Sequence, residues 1–236
     1  MKEIKSNNID PSIKGVIEKL NNTNIDFLVV GGLLSQYYLK DHSRFTKDVD
    51  ILHSCNKEEI KEELRKEFGN IDFSSCEDSK TFYEPYFTCF VPINNMIGQI
   101  EGKKIDFLKE IRIEEYVYEG ISFKGVCLEY YIAEKLVSLL NELDRPYKHV
   151  VDIYSFLQSK QLDIDVEEIK KYLYLINNQE NQYRKKNNIK RYDLPNQIKE
   201  DKRFTPPYIV PTLQSKYNVN KLEMISTINK WLKTFL

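Results

Sequence analysis

Histidine, tryptophan and glycine are scarce in this chain, with three His, one Trp and eight Gly among 236 residues. With so few imidazoles and no partner acid at helical spacing, neither His42 nor His53 is assigned a catalytic role. The four cysteines, Cys55, Cys76, Cys89 and Cys127, form no Cys-x-x-Cys pair and have no His at zinc-like spacing. That pattern argues against structural zinc and against a disulfide scaffold. No apolar run is long enough to span a bilayer, and Lys2-Glu3-Ile4-Lys5-Ser6-Asn7-Asn8 lacks the apolar segment of a secretory signal. A cytoplasmic protein with reduced thiols and no membrane contact is expected. Charge of one sign is missing too: 35 basic side chains stand against 36 acidic ones, for a net charge of -1. Attraction to a polyanion would have to come from local patches, not from the field of the whole molecule.

What is present is organised in two textures. Asp10-Pro11 followed by Ile13, Val16, Ile17 and Leu20 reads as a capped helix closing at Asn21-Asn22. Phe27-Leu28-Val29-Val30 is a short buried strand that ends in Gly31-Gly32 and leads into Leu33, Leu34, Tyr37 and Tyr38 at helical spacing. A second strand-helix unit follows, from Val49-Ile51 into the charged stretch Lys57 to Phe68. Further strands are expected over 71–74, 82–91, 104–108 and 121–126. From Leu128 the apolar spacing becomes helical, through Leu140, again from Val150 to Leu157 after Pro146, and from Glu167 to Ile176. Residues 177–207 read as polar and basic with a Pro206-Pro207 stop, and Leu222 to Leu236 as a closing helix. The expected class is α/β (α+β), with one domain over 1–126 and a helical domain over 127–236.

Three features carry chemistry. In a chain this poor in glycine, Gly31-Gly32 sits between a buried strand and a helix, where backbone amides can face an anion. A simple tight turn would look the same. Asp48-Val49-Asp50 spaces two carboxylates about 7 Å apart along one strand face, where their repulsion calls for a cation and their hard oxygens suit Mg²⁺. A solvated strand end is the alternative. Asp106, between Ile105 and Phe107, must face something polar if its segment is a strand; a neighbouring metal or open water would serve.

Taken in order, Gly31-Gly32, Arg44-Phe45-Thr46-Lys47-Asp48-Val49-Asp50 and Ile105-Asp106 resemble the nucleotidyltransferase superfamily, in particular its AbiEii toxin branch. The likeness continues through Leu128 to Leu136, which is similar to the family's Glu-rich helix with an Ala-x-Lys, and into Lys148-His149-Val150-Val151-Asp152, where the family usually has Arg-Asp-x-x-Asp. The resemblance runs from about residue 26 to about 157. It implies a polymerase-beta-like nucleotidyltransferase core with a mixed sheet, followed by a helical C-terminal domain that completes the cleft. It also implies two Mg²⁺ ions held by Asp48, Asp50 and Asp106, and a nucleoside triphosphate held by Gly31, Gly32, Arg44, Thr46, Lys135 and Asp152. The acceptor would be a hydroxyl such as a transfer RNA or other RNA 3′ end, and a cognate antitoxin would be the partner in a toxin-antitoxin or phage-defence pair. A protein or small-molecule acceptor such as an aminoglycoside, or a non-catalytic nucleotide-binding relative, are the other readings open at this stage. Arg184-Lys185-Lys186 and Lys190-Arg191, edged by Tyr183 and Tyr192, form a basic aromatic segment that suits a nucleic-acid backbone or a plain solvated face.

Overall fold

The computed structural model describes residues 1–39, 45–75, 86–141, 146–158, 163–186, 226–228 and 230–231. The chain divides into two units, Met1–Cys127 and Leu128–Leu236.

In the first unit the elements run β1 (Lys2–Ile4), α1 (Ser12–Asn21), β2 (Phe27–Val30), α2 (Gly32–Tyr38), β3 (Val49–His53), α3 (Lys57–Phe68), β4 (Asp72–Ser75), β5 (Tyr86–Ile93), β6 (Met96–Lys104), β7 (Ile113–Tyr118) and β8 (Ile121–Val126). The strands form one mixed sheet in the order β1-β7-β8-β2-β3-β6-β5-β4. β2 lies centrally, parallel to β8 and antiparallel to β3, and every one of its four residues is buried, as an uninterrupted apolar run requires. Helix α1 packs on the sheet and on α3 through Ile13, Val16, Ile17 and Leu20, all buried. The expected Asp cap is present, since the Asp10 carboxylate accepts from the Ser12 N–H at 2.9 Å. Helix α3 starts in a reciprocal cap: Asn56 accepts from the Glu58 and Glu59 N–H groups, and Glu59 accepts from the Asn56 N–H.

Two expectations are corrected here. The strand placed over 104–108 is instead β6, which starts at Met96 and ends at Lys104. Asp106 follows in a turn, with a short 3-10 helix over Leu108–Glu110. The hairpin between β5 and β6 turns at Asn94-Asn95, where Asn94 takes the left-handed conformation that this side chain tolerates. Two glycines blur the alternation in β6: an added side chain at Gly102 would collide with the Phe87 ring, so the aromatic supplies the apolar surface that Gly102 lacks. Strands β1 and β7 were also unforeseen. The charged Ile113-Glu114-Glu115 start of β7 resembles a surface loop, yet β7 pairs parallel with β1 and antiparallel with β8.

The second unit contains α4 (Leu128–Asn141), α5 (Pro146–Gln158) and α6 (Val166–Lys186), with α4 packed against both others. Edge-to-face contacts of Tyr130 with Tyr172 at 5.4 Å and Tyr131 with Phe156 at 5.3 Å knit these helices, beside the buried Ile153, Ile169, Leu173 and Ile176. Helix α6 runs on to Lys186, well beyond the expected end near 176. Glu180 and Arg184, one turn apart and joined at 2.6 Å, show how polar residues extend it. Residues 190–192, the Pro206-Pro207 stop and most of the expected closing helix lie outside the described residues. No described helix is long and apolar enough to cross a membrane.

Candidate active site

Gly31 is where the strand-turn-helix unit meets the acids. Val30, the last residue of β2, is register-paired with Asp50 on β3, so the glycine turn sits directly beside the Asp50 side chain. Gly31 has φ of 74°, a region that L side chains avoid, and a methyl there would lie on top of the Asp50 carboxylate. The Gly32 N–H then donates to Asp50 Oδ2 at 3.2 Å. The turn holds an acid in place with a backbone amide, at the point where helix α2 begins.

Asp48 lies in the bend that enters β3, one residue ahead of the strand, and both it and Asp50 are half-buried. On the other side of β3, strand β6 runs parallel and places Glu101 in register with Asp50. Register partners in neighbouring strands share a face and lie about 5 Å apart. Gln99 donates to Glu101 Oε1 at 2.7 Å, which fixes this third carboxylate. Asp48 and Asp50 stand beside the Gly31-Gly32 turn, and Glu101 is in register with Asp50 on the neighbouring strand; among the described residues, the acid and thiol ligand atoms that lie close enough together to hold one ion are those of Cys127, Glu129 and Glu168. The carboxylates of Asp48 and Asp50 offer hard oxygen donors, the kind that suits Mg²⁺.

Asp106, the acid expected to complete this set, is elsewhere. Lys104 is already level with His53, three residues or about 10 Å along the strands from Asp50, and Asp106 is exposed in the turn beyond it. The parallel register brings Glu101 and not Asp106 level with Asp50, and nothing local in the sequence reveals a register across 50 intervening residues. The trace that could have indicated Glu101 is the alternation of Gln99 and Glu101 with Gly98, Ile100 and Gly102.

Thr46 is brought to the turn but not as an open hydroxyl. It is 4% exposed, accepts from Gln36 Nε2 at 3.1 Å, and its methyl group covers Gly32. Arg44 and His42 lie outside the described residues. In the second unit, Lys135 on α4 and Asp152 on α5 form a buried ion pair at 3.0 Å, with the Lys135 ammonium also 4.9 Å above the Tyr131 ring. His53, at the far end of β3, packs against Phe87. Burial, aided by repulsion from Lys104 and opposed by the Cys55 backbone, lowers its pKa to about 4. It is a neutral core residue, apart from the acids.

A glycine turn beside a carboxylate pair that enters a strand is the arrangement that the resemblance to nucleotidyltransferases implies. Over residues 20–228 the chain matches the profile of the nucleotidyl transferase AbiEii toxin, type IV TA system, and it belongs to that family. Membership brings a nucleotide substrate and a cognate antitoxin. No curated protein matches the chain. Among solved structures, an antigenic nucleotidyltransferase-like protein from Paracoccidioides brasiliensis is 18% identical, with 69% of this chain and 83% of that one covered at a TM-score of 0.45. The antibiotic-resistance factor ANT(2'')-Ia is 14% identical, covering 75% and 95% at 0.48. JHP933 from Helicobacter pylori is 11% identical, covering 95% and 88% at 0.45.

Proposed function

We propose that this toxin transfers a nucleoside monophosphate from a nucleoside triphosphate to the 3′ hydroxyl of an RNA, with transfer RNA the first candidate, at the site formed by Asp48, Asp50 and Glu101. The acceptor oxygen bonds to the α-phosphorus, pyrophosphate leaves, and the hydroxyl proton passes to a carboxylate. Glu101, which accepts from Gln99 at Oε1, would take that proton. Bound Mg²⁺ would supply charge neutralisation on the triphosphate and acidify the acceptor hydroxyl. Asp48 and Asp50 would hold it, Asp50 in the orientation set by the Gly32 N–H. In the RNA reading, the basic last turn of α6, with Arg184, Lys185 and Lys186, suits a phosphate backbone.

The observation that carries the reading is the register that sets Glu101 beside Asp50. Its test is transfer of label from each α-labelled triphosphate into total RNA, with Asp48→Asn, Asp50→Asn, Glu101→Gln and Asp106→Asn compared. The first three should lose transfer by on the order of a thousandfold, several kcal/mol of barrier, while Asp106→Asn stays near wild type. Full activity in Glu101→Gln and loss in Asp106→Asn would return the third position to Asp106. Label entering only protein, or only a small molecule, would replace the RNA acceptor.

A further inference from the structure

The segment before α1 makes contacts that fold stability alone does not explain. β1 is anchored by Lys2, which pairs with Glu114 and sits 5.3 to 5.6 Å from the Tyr37, Tyr38 and Tyr116 rings. Past β1 the chain crosses to the acid-bearing segment and grips it on both sides of one residue. The Thr46 N–H donates to Asn8 O at 2.8 Å, and the Asp10 N–H donates to Thr46 O at 2.8 Å, with Ile9 bridged to Thr46 between them. Thr46 precedes Asp48 by two residues, so this clasp fixes the backbone from which Asp48 projects.

One side chain ties the clasp to the glycine turn. Gln36 lies four residues after Gly32 on α2, one helical turn up the same face, and is 5% exposed. Its Oε1 accepts from the Ser6 hydroxyl at 2.6 Å and its Nε2 donates to Thr46 Oγ1 at 3.1 Å. The Thr46 methyl in turn lies 3.2 Å from where a Gly32 side chain would begin. Asp50 is set by the turn that opens α2, and Asp48 by the clasp on Thr46. Gln36 is bonded to both the helix and the clasp. We infer that Gln36 is a positioning residue of the active site, setting Asp48 relative to Asp50 through Thr46, so that its buried amide governs how tightly the acids hold a divalent cation.

This rests on the reading of Asp48 and Asp50 as the cation-holding pair. Its test is Mn²⁺ binding followed by electron paramagnetic resonance, without substrate, alongside thermal melting. Gln36→Leu removes both hydrogen bonds and should weaken Mn²⁺ binding on the order of tenfold, the usual effect of a group that orients a ligand. Gln36→Glu can accept from both hydroxyls and should restore near wild-type affinity even where its melting temperature differs. Thr46→Val should weaken binding as Gln36→Leu does, and the double variant should be no worse than either alone. Wild-type Mn²⁺ affinity in Gln36→Leu, or additive losses in the double variant, would overturn the inference. Asp48→Asn separates the two levels. If it loses Mn²⁺ while Gln36→Leu keeps it, only the role of Gln36 falls; if it binds as wild type does, the cation-holding pair falls and Gln36 with it.

Discussion

The two units handle charge in opposite ways. In the first, Asp48 and Asp50 occupy half-buried positions beside a glycine turn, and Glu101, also half-buried, is in register with Asp50 on β6. In the second, Lys135 and Asp152 are both buried and face each other at 3.0 Å, 8% and 0% exposed at the side chain. Acids of like sign near one another favour a cation from solution, whereas the second arrangement joins opposite charges directly. The difference teaches where loss of a charge should be felt. Breaking the buried pair strands an ion in a place water does not reach, so the cost falls on folding. Removing one of the clustered acids relieves repulsion, so the cost falls on cation binding and transfer.

The largest stability effect expected is at Asp152. Asp152→Ala should cost about 3 to 5 kcal/mol, the range for stranding one partner of a buried pair, seen as an early melt by calorimetry. Lys135→Met with Asp152→Leu should recover much of that stability. An Asp152→Ala protein that melts normally would show the pair to be open to solvent, and the contrast between the units would vanish.

His53 is a third way of handling a titratable group in the core: it is kept neutral. In the unfolded chain it takes a proton near pH 6.5, whereas in the folded chain it resists until about pH 4. Between those values the unfolded state binds more protons, so stability falls as pH drops through that window and is unaffected above it. The full contribution is up to about 3 kcal/mol at pH 4. Denaturant melts of His53→Phe and wild type across pH 4 to 7 should differ in slope by this amount. Parallel curves would mean that His53 takes up its proton as readily in the fold as in the unfolded chain.

The smallest effect sharpens the comparison from the other side. Asp48→Asn, in the first unit, should leave stability in metal-free buffer within about 0.5 kcal/mol of wild type, as expected for a partly exposed site with no buried partner. Added Mg²⁺ should raise the melting temperature of wild type but not of this variant, because only the former binds it in the folded state. Equal Mg²⁺ shifts in both would break the contrast.

Which of these features could be read beforehand follows from how local each one is. Gly31, Gly32, Asp48 and Asp50 lie within 20 residues of one another, and a buried strand ending in two glycines announces its own turn. That Glu101 comes level with Asp50 depended on two strands finding a parallel register across the whole of α3, β4 and β5. Ile105-Asp106-Phe107 looked the better strand because Gly98 and Gly102 had surrendered their apolar surface to neighbours such as Phe87. Strand β1 was illegible for a related reason: three residues carry no period, and only β7 makes them a strand. Thr46 was legible as a motif residue but not as a clasped one, since its partners Asn8, Asp10 and Gln36 come from two other segments.

A toxin is a protein whose host can profit from losing it, and the filled space at Gly31 makes that loss a one-step event. Three glycines here have positive φ: Gly31, Gly69 and Gly120. At Gly69 and Gly120 an added Cβ meets nothing within 4 Å, so a missense change costs only local backbone strain, about 1 to 3 kcal/mol, which a folded toxin can survive. At Gly31 even alanine must push the Asp50 carboxylate aside, so on the proposed role of Asp50 every missense allele of that codon should disarm the enzyme, whatever residue it encodes. Among cells that outlive an unrestrained copy of this protein, the escape alleles would accumulate at that codon with no preference for side-chain type, a spectrum that marks lost space and not lost chemistry.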